Sequence, residues 1–178
     1  MITTDRLLLR PYEIGDYETY VTLAGQEQRG SLLSVFSRED CWHRLLRFIG
    51  HWSAFGWGLF AVFDRDGSYL GETGLADFHR GLGEDFDTSP EGAWNFLPAA
   101  QGKGVAFEAT RAAHDWFARE HGPRRTVCMI QPVNVASIRL AERLGYSAFR
   151  DADYKGMKLR LFERQPKHAG ISTTGAIR

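Results

Sequence analysis

The sequence has little of what marks several large classes of protein. Its 178 residues include only two cysteines, and Lys plus Arg balance Asp plus Glu at 22 each. So few thiols exclude a disulfide-rich scaffold, and the charge balance leaves no basic field for nucleic acid. No apolar run approaches the ~20 residues of a membrane span, and Met1–Thr4 lacks signal-peptide character. We therefore expect a cytoplasmic protein with no nucleic-acid or membrane partner.

Apolar residues make up 43% of the chain, which is enough for a substantial core and argues against disorder. We expect one domain over residues 1–164, followed by a mobile tail over 165–178, where no periodicity is seen. Cys41 and Cys128 are expected to be buried, reduced thiols. His43 and His51 are two helical turns apart rather than one, so no metal site is expected.

About seven stretches have the alternation of strands and about four have helical periodicity. The predicted strands are 4–12, 56–63, 69–78, 91–97, 126–131, 146–150 and 155–163. The predicted helices are 16–24, 38–55, 105–118 and 134–144. Strand, loop, helix and strand follow one another between 91 and 131, which is typical of a parallel crossover, whereas hairpins join the flanking strands. The prediction is an α/β fold with a twisted, mixed, mostly antiparallel sheet, one splayed parallel joint, and helices flanking it.

The stretch from Trp94 to Ala109 predicts a ligand site at the start of a helix. Pro98 ends the preceding strand, and Gly102 and Gly104 allow backbone angles and close approaches that a side chain would block. Several backbone amides at the start of the helix then have no hydrogen-bond acceptor within the helix. They lie at the positive end of the helix dipole, which most often binds phosphate. The candidate residues are Gln101, Gly102, Lys103, Gly104, Val105 and Ala106.

Two common phosphate-binding motifs do not fit this stretch. The Walker loop requires Ser or Thr after its lysine, but Gly104 follows Lys103. The dinucleotide fingerprint requires a third glycine at the position that Phe107 occupies. The pattern that fits is Gln/Arg-x-x-Gly-x-Gly/Ala, and it resembles the acetyl-CoA pyrophosphate loop of the GNAT acetyltransferase superfamily.

Two further motifs extend the resemblance over residues 4–163. The segment Thr4–Pro11 resembles the opening strand of RimJ/RimL-type N-acetyltransferases within that superfamily. The segment Asn134–Tyr146 resembles their closing motif, Asn-x-x-Ser-x-(Arg/Lys)-x-x-(Glu/Lys)-(Lys/Arg)-x-Gly-(Phe/Tyr). With three matches in the right order, the chain is identified as a member of this group.

The resemblance implies that acetyl-CoA is the cosubstrate and that a primary amine, either a protein N-terminus or a small molecule, accepts the acetyl group. If the strand splays from its neighbour, the backbone of Phe96 and Leu97 pairs with the pantetheine amides. By the resemblance, the Asn134 amide and the Ser137 hydroxyl face the pantetheine arm. Two arginines of the same helix reach the nucleotide phosphates or remain plain surface residues: Arg139 and Arg143.

Candidate catalytic residues follow from the chemistry of transfer. Many superfamily members carry a tyrosine that protonates the leaving thiolate, but this chain has Ala141 there, which leaves Ser137 or a water. The attacking amine must lose a proton to a base. Four residues on or beside the central strands are candidates for this base: Glu72, Glu91, Asp77 and His79. The loop 81–89, which contains three acidic residues, could instead serve to attract a cationic acceptor by its charge.

A second function class stays open at this point. The absence of a tyrosine at position 141 favours a non-catalytic acyl-CoA-binding module of the same fold. Direct transfer without a cysteine intermediate is the leading reading, because Cys128 lies in an apolar run. Five tryptophans and twelve phenylalanines exceed what a small sheet needs inside. We therefore expect either a monomer or a homodimer that uses some of them at an acceptor groove or an interface.

Overall fold

The computed structural model describes residues 1–27 and 36–166. Its described strands form one sheet in the order β1-β2-β3-β4-β5-β6-β8-β7. Every neighbouring pair is antiparallel except β5 and β6, which run parallel. The strands are β1 Ile2–Thr3, β2 Leu7–Pro11, β3 Leu59–Asp64, β4 Tyr69–Ala76, β5 Glu91–Phe96, β6 Thr126–Ile130, β7 Ser147–Tyr154 and β8 Met157–Arg164.

The helices cover both faces of this sheet. They are α1 Tyr17–Glu27, α2 Arg38–Phe55, α3 Glu84–Asp87, α4 Val105–His121 and α5 Val135–Leu144. Successive residues of β3 point to opposite faces of the sheet. Leu59 packs into a core with α1 and α2, while Phe60 packs into a second core with α4. A third core joins α5 to β6 and β8. The mixed, mostly antiparallel α/β fold that the sequence predicts is confirmed.

Local sequence signals explain the best-predicted element, helix α2, whose bounds match the prediction. Ser37 and Asp40 form a capping box at its start, in which the Asp40 amide donates to Ser37 Oγ at 3.0 Å and the Ser37 amide donates to the Asp40 carboxylate at 2.9 Å. Gly56 ends the helix in the left-handed conformation at φ 73°. Leu45 and Phe48 then bury the apolar face that the periodicity predicted.

The parallel joint is open along most of its length. Strand β5 pairs with β4 from Glu91 to Phe96 but with β6 only at Glu91, opposite Val127. The Leu97 amide donates to the carbonyl oxygen of Leu70 in the β4 strand at 2.9 Å. Since backbone groups alternate along a strand, those of Trp94 and Phe96 point to the other side, where β6 has separated. The splayed joint is therefore present where the sequence predicted it.

A buried polar chain lies where β5 and β6 part. His114 Nδ1 is 2.8 Å from the Thr110 carbonyl oxygen, so this nitrogen carries the hydrogen and Nε2 accepts from the Tyr146 hydroxyl at 2.7 Å. The Tyr146 oxygen in turn accepts from Thr126 Oγ1 at 3.0 Å. An added Cβ at Gly92 would lie only 2.8 Å from the Tyr146 hydroxyl, so a glycine at this position leaves space for the Tyr146 and His114 side chains.

Several boundaries differ from the predictions, among them the ends of α1 and α4, which each lie three residues later than predicted. The two-residue strand β1 precedes the predicted opening strand, α3 lies within the predicted loop 81–89, and β7 continues to Tyr154 instead of ending at Arg150. Asp151 and Asp153 are poor strand formers, but the ladder with β8 places them opposite Arg160 and Lys158. The resulting side-chain contacts measure 3.0 and 2.9 Å, so cross-strand charge pairing extends β7 beyond its intrinsic preference.

The prediction of a tail over 165–178 lies outside the described residues, apart from Gln165 and Pro166. Cys41 and Cys128 are both buried, free thiols, as predicted. Among the described residues, no helix is long and apolar enough to cross a membrane. The same residues contain no group of three or more His, Cys, Asp or Glu side chains placed to hold a metal ion.

Candidate active site

A cavity of about 550 Å³ lies between the end of β5, the loop that follows it, the first turn of α4 and one side of α5. Most of the residues predicted to bind a phosphate-bearing cosubstrate line this cavity together. They are Phe96, Gln101, Gly102, Gly104, Ala106, Asn134, Ser137, Arg139 and Arg143. The sequence did not single out the other lining residues, which are Trp94, Asn95, Ala100, Phe107, Ala136 and Leu140.

The loop before α4 depends on glycine for its backbone. Gly102 and Gly104 adopt φ values of 72° and 75°, in the left-handed region that side chains disfavour. The Glu108 amide donates to the Gly104 carbonyl at 3.0 Å, which is the first hydrogen bond of α4. The amides before Glu108 in this turn have no intrahelical acceptor, and the positive end of the helix dipole lies beside them. This end of the cavity is therefore suited to an anion.

Two arginines add to this positive end. Arg139 and Arg143 line the same cavity from α5, and the Arg143 guanidinium lies 3.7 Å from the centre of the Phe107 ring. This stacking holds the guanidinium beside the first turn of α4. The residues present fit a ligand with several phosphate groups, which is the chemistry of the nucleotide end of coenzyme A.

Three residues predicted to bind the cosubstrate do not line the cavity. Val105 is buried in the core, and the Lys103 carbonyl accepts a hydrogen bond from Arg6. The Leu97 prediction is corrected, because its amide donates to Leu70 and its carbonyl accepts from Ala100, both at 2.9 Å. Its backbone is therefore committed within the protein, whereas alternation along β5 directs the backbone of Trp94 toward the opening.

A second cavity, of about 420 Å³, approaches the open joint from the side of α2. It shares three residues with the first cavity: Trp94, Asn134 and Ser137. Its other lining residues are Phe36, Arg44, Arg80, Glu91, Gly92, Ala93, Cys128, Met129, Ile130, Gln131, Tyr154, Met157 and Leu159. The two cavities therefore meet at these three residues, beside the gap between β5 and β6.

The geometry at the meeting point leaves the Ser137 hydroxyl proton available. The Asn134 side chain caps α5 by accepting from the Ser137 amide at 3.0 Å. The Trp94 indole N–H lies 3.3 Å from Ser137 Oγ, and because an indole only donates, Ser137 is the acceptor. The serine O–H can therefore donate to a group in either cavity.

Glu91 is the one carboxylate that lines the second cavity among the residues described. It is 4% exposed, and both of its oxygens accept hydrogen bonds from Arg80 at 2.8 Å. Burial raises the pKa of Glu91, and the opposing effect of the Arg80 guanidinium does not cancel it. Arg80 is held over the Phe78 ring at 4.3 Å. The cavity thus presents a proton acceptor in a fixed position.

Comparison with known proteins identifies this arrangement. Residues 6–147 match the acetyltransferase (GNAT) domain family. The chain belongs to the GNAT acetyltransferase family. The match covers both cavities except for the β7–β8 residues of the second. The GNAT superfamily to which the sequence was assigned is thereby confirmed.

Individual relatives agree with this assignment. A Bordetella pertussis protein of the GnaT acetyltransferase family is 33% identical, with a TM-score of 0.84 over 92% of this chain and 98% of that one. The uncharacterised N-acetyltransferase YnaD of Bacillus subtilis strain 168 is 29% identical over 146 residues, or 81% of each chain. More distant solved structures share the GNAT fold alone. One is RimL, a ribosomal L7/L12 α-N-protein acetyltransferase in complex with coenzyme A, which has 17% identity, a TM-score of 0.73 and coverage of 92% and 96%. Another is a Vibrio cholerae spermidine N-acetyltransferase with coenzyme A and spermine, which has 18% identity, a TM-score of 0.69 and coverage of 90% and 95%.

The remaining predicted bases lie outside both cavities of this GNAT domain. Glu72 is 5% exposed and accepts from the Tyr12 hydroxyl at 2.9 Å, beneath α1 and α2. Asp77 and His79 contact each other at 3.3 Å beyond the end of β4. Of the four candidates, only Glu91 faces the second cavity. Sequence reasoning missed Arg80, which stands in no motif, and it gave the Trp94 side chain no role, because only the fold brings these two side chains to Glu91 and Ser137.

Proposed function

We propose that this GNAT domain is an acetyl-CoA-dependent N-acetyltransferase that moves the acetyl group directly to a primary amine. The observation that carries the proposal is the meeting of two cavities at Ser137. One cavity suits a phosphate-bearing ligand, and the other has a carboxylate, that of Glu91, in its lining. A thioester and an amine bound in the two cavities would therefore face each other without a covalent intermediate on the protein.

The first cavity would hold acetyl-CoA along its length. The amides of the loop at 102–106, with Arg139 and Arg143, would take the phosphates. The backbone groups of Trp94 and Phe96, which point into the open joint, would pair with the pantetheine amides as a strand would. The thioester would then lie near Ser137, at the far end of the cavity from the loop.

The reaction requires one bond to form, one to break, and one proton to leave. The neutral amine nitrogen bonds to the carbonyl carbon, the carbon–sulfur bond breaks, and the nitrogen loses a proton. Glu91 would accept this proton through water, and the Ser137 hydroxyl would donate a hydrogen bond to the sulfur as negative charge develops there. Ala141 cannot supply that donor, because it has no polar group and is fully buried in the α5 core.

The acceptor is a protein N-terminus or a small amine. The RimJ/RimL-type resemblance of the 4–11 and 134–146 segments supports the first, since RimL is named for acetylating a ribosomal protein N-terminus. The Vibrio cholerae relative, which acts on spermidine, shows that the same fold also serves small amines. The second cavity, at about 420 Å³, has room for a small amine or for the first residues of a peptide.

The test is release of free thiol from acetyl-CoA in the presence of a panel of amines. Peptides with free N-termini, amino acids and polyamines are supplied at millimolar concentration, and acetyl-CoA binding is measured separately. Amine-dependent thiol release is the expected result. Tight acetyl-CoA binding with no release for any amine would overturn catalysis and favour the non-catalytic acyl-CoA-binding module. Failure to bind acetyl-CoA would count against both.

A further inference from the structure

The carboxylate of Glu91 is held by two hydrogen bonds from one arginine. Arg80 Nε donates to Glu91 Oε2 and Arg80 Nη2 donates to Glu91 Oε1, both at 2.8 Å. Two bonds of this kind fix the orientation of a carboxylate, which a single contact does not. Each carboxylate oxygen has two lone pairs, so each keeps one for a donor in the second cavity, which Glu91 lines. Arg80 therefore orients Glu91 without blocking it as a proton acceptor.

Aromatic rings hold Arg80 itself in place. Its guanidinium carbon lies 4.3 Å from the centre of the Phe78 ring and 5.6 Å from the centre of the Tyr154 ring. Phe78 follows β4 and Tyr154 ends β7, so two distant parts of the chain contact this arginine. The side chains of Arg80 and Glu91 are 21% and 6% exposed. Water and salt therefore screen this pair less than they screen a surface ion pair.

Burial and charge act on Glu91 in opposite directions. Burial disfavours the carboxylate and raises the pKa of Glu91, whereas Arg80 is the strongest influence that lowers this pKa. Arg47 lowers it further from α2, and Asp87 raises it from α3. Arg44 lines the same cavity from α2. Without the guanidinium of Arg80, the carboxyl group would keep its proton to a higher pH.

Two buried groups near Glu91 stay neutral around pH 7. They are the thiol of Cys128 on β6 and the phenol of Tyr146 just before β7, and burial raises the pKa of both. The phenol of Tyr154 lines the same cavity. Among the described residues, Arg80 is the one cation in hydrogen-bond contact with Glu91.

We infer that Arg80 is a positioning residue of the proposed reaction, which orients the Glu91 carboxylate toward the second cavity and keeps it ionised near neutral pH. The inference rests on the proposed function, in which Glu91 accepts the proton of the amine through water. The nitrogen gives its proton to the water, and a proton of that water goes to the carboxylate, which becomes a neutral acid. Arg80 exchanges no proton in this step, because a guanidinium has no acceptor and stays protonated.

The pH profiles of matched variants test this role. Arg80→Gln should lower kcat/KM by about tenfold near pH 6.5, because a larger fraction of Glu91 is then protonated. The loss should shrink as pH rises, since the carboxyl group ionises at higher pH even without the arginine. Arg80→Lys should lose less, because it keeps the charge but not the paired hydrogen bonds. Arg125→Gln is the control and should keep the wild-type profile, because Arg125 pairs with Glu163 at 2.6 Å outside the described lining of both cavities.

Carbon NMR of protein labelled at the glutamate carboxyl carbons gives a readout that needs no turnover. The Glu91 signal is identified by its absence in Glu91→Gln and is then titrated. Its midpoint should move to higher pH in Arg80→Gln and stay in place in Arg125→Gln. An unmoved midpoint, or a loss of kcat/KM that is equal at every pH, would overturn the positioning role. A moved midpoint without thiol release for any amine would overturn the proposed function, and the positioning role would fall with it.

A different observation concerns the first cavity. The opening segment of the chain is tied to the glycine loop and to the first turn of α4. Thr4 Oγ1 donates to Glu108 Oε1 at 2.6 Å, and Arg6 Nε donates to Glu108 Oε2 at 2.8 Å. Arg6 Nη1 donates in addition to the carbonyl oxygen of Lys103 at 3.0 Å. One arginine thus holds both the loop and the helix that follows it.

The bond to Lys103 fixes the direction of an amide. In a trans peptide the C=O of one residue and the N–H of the next point in opposite directions, and the described chain has no cis peptide. Because Arg6 holds the Lys103 carbonyl on one side, the Gly104 N–H points away from Arg6, and Gly104 lines the cavity. Arg6 also pairs with Glu108, an acid in the first turn of α4 whose charge would otherwise oppose an anion there.

We propose that Arg6 is a second positioning residue, which orients the Gly104 amide and offsets the charge of Glu108 without touching the ligand. The role concerns binding alone, so it does not depend on acetyl transfer.

Binding of coenzyme A and of pantetheine, which lacks the phosphates, separates this role from general stability. Titration calorimetry on Arg6→Gln should show about tenfold weaker binding of coenzyme A, from the loss of an aligned donor and the unmasking of Glu108, with pantetheine unaffected. Arg6→Lys should recover part of the affinity by restoring the charge. Arg65→Gln is the control, because Arg65 holds the same opening segment through the Thr4 and Asp5 carbonyls but does not contact the loop. Equal weakening of both ligands, or no change for coenzyme A, would overturn the role of Arg6.

Discussion

Substitution of Ser137 tests whether its hydroxyl takes part in the reaction or only in ligand binding. Because Trp94 donates to its oxygen, the serine proton is directed elsewhere. If it assists the departing thiolate, the interaction belongs to the transition state. Ser137→Ala should then lower kcat by about tenfold or more with little change in acetyl-CoA affinity. Ser137→Cys should recover part of the rate, since a thiol also donates. An unaltered kcat, with weaker acetyl-CoA binding, would reduce Ser137 to a contact of the pantetheine arm.

A second single substitution tests whether Glu91 is the base. Glu91→Gln keeps the shape and an acceptor for Arg80 but removes the base, so kcat should fall by about 10² or more. The wild-type rate should rise with pH through the pKa of Glu91, which burial raises, and this limb should vanish in the variant. Glu84→Gln, on α3 outside the described lining of the cavity, is the matched control. Full activity in Glu91→Gln would mean that bulk water accepts the proton.

The buried His114 is expected to make the protein less stable in acid. Burial and the charge of Arg164 lower its pKa from 6.5 to about 4. The unfolded chain therefore binds a proton between pH 6.5 and 4 that the folded protein does not, so stability is full above this window and is lost as pH falls through it. The loss amounts to roughly 3 kcal/mol. Thermal melts from pH 7 to 4 should show a shallower acid decline for His114→Gln. A parallel decline in both proteins would assign the effect to other groups.

At the scale of one element, the loop before α4 can be tested by paired glycine variants. Gly104 and Gly67 have φ values of 75° and 83°, and Gly67 lies in the β3–β4 turn, away from both cavities. Alanine at either position should cost ~1 kcal/mol of backbone strain, lowering Tm by a few degrees. Only Gly104→Ala should also weaken acetyl-CoA binding, because its Cβ and altered backbone disturb the amides at the helix start. Equal affinities in the two variants would place the anion site elsewhere.

The elements that the sequence predicts well are those whose signals are local. Helix α2 has its apolar periodicity, its Ser37 cap and its Gly56 stop within one stretch, and its bounds follow directly. Strand β7 depends instead on charge pairing with β8, which no window of β7 alone contains. Helix α3 is similar, because its Phe86 is buried against β6 and β8, which come later in the chain.

The same distinction applies to the site. The phosphate end of the first cavity lies in the contiguous loop at 101–106 and in one helix, so its residues could be predicted together. The second cavity is assembled from α2, β5, β6 and the β7–β8 hairpin, and its chemistry comes from partners far apart in sequence. Glu72 and Glu91 look alike in sequence. The fold alone buries one against Tyr12 and turns the other to the cavity.

For the whole molecule, ligand binding should appear as thermal stabilisation. A ligand that binds only the native state adds RT ln(1 + [L]/Kd), which is about 2.7 kcal/mol at one hundred times Kd. Acetyl-CoA at millimolar concentration should therefore raise Tm by several degrees in a melting experiment. Pantetheine at the same concentration should shift Tm less, since it makes no use of the loop. No shift with acetyl-CoA would contradict the assignment of the first cavity.

The aromatic surplus finds its use inside the molecule. Trp52 and Trp116 pack 5.5 Å apart between α2 and α4, both contact the Phe60 ring, and Trp57 packs on Phe117. None of the five tryptophans is among the exposed large apolar residues of the described chain. Helix packing thus accounts for Trp52, Trp57 and Trp116, whereas Trp94 and Phe36 line a cavity and Phe55 is 51% exposed, so monomer and homodimer both stay predictions. Sedimentation at several concentrations distinguishes the monomer from the homodimer.

The gap between β5 and β6 has a consequence for the traffic of ligands. The first cavity is lined from α4 and α5 and the second from α2 and the β7–β8 hairpin, so the two substrates of the proposed reaction would enter by different routes without obstructing each other. Steric blocking therefore imposes no compulsory order of addition, and both products can depart by the route through which their precursors came. Steady-state plots for the two substrates should converge to a common point rather than run parallel. A dead-end analogue of the amine should not prevent acetyl-CoA from binding.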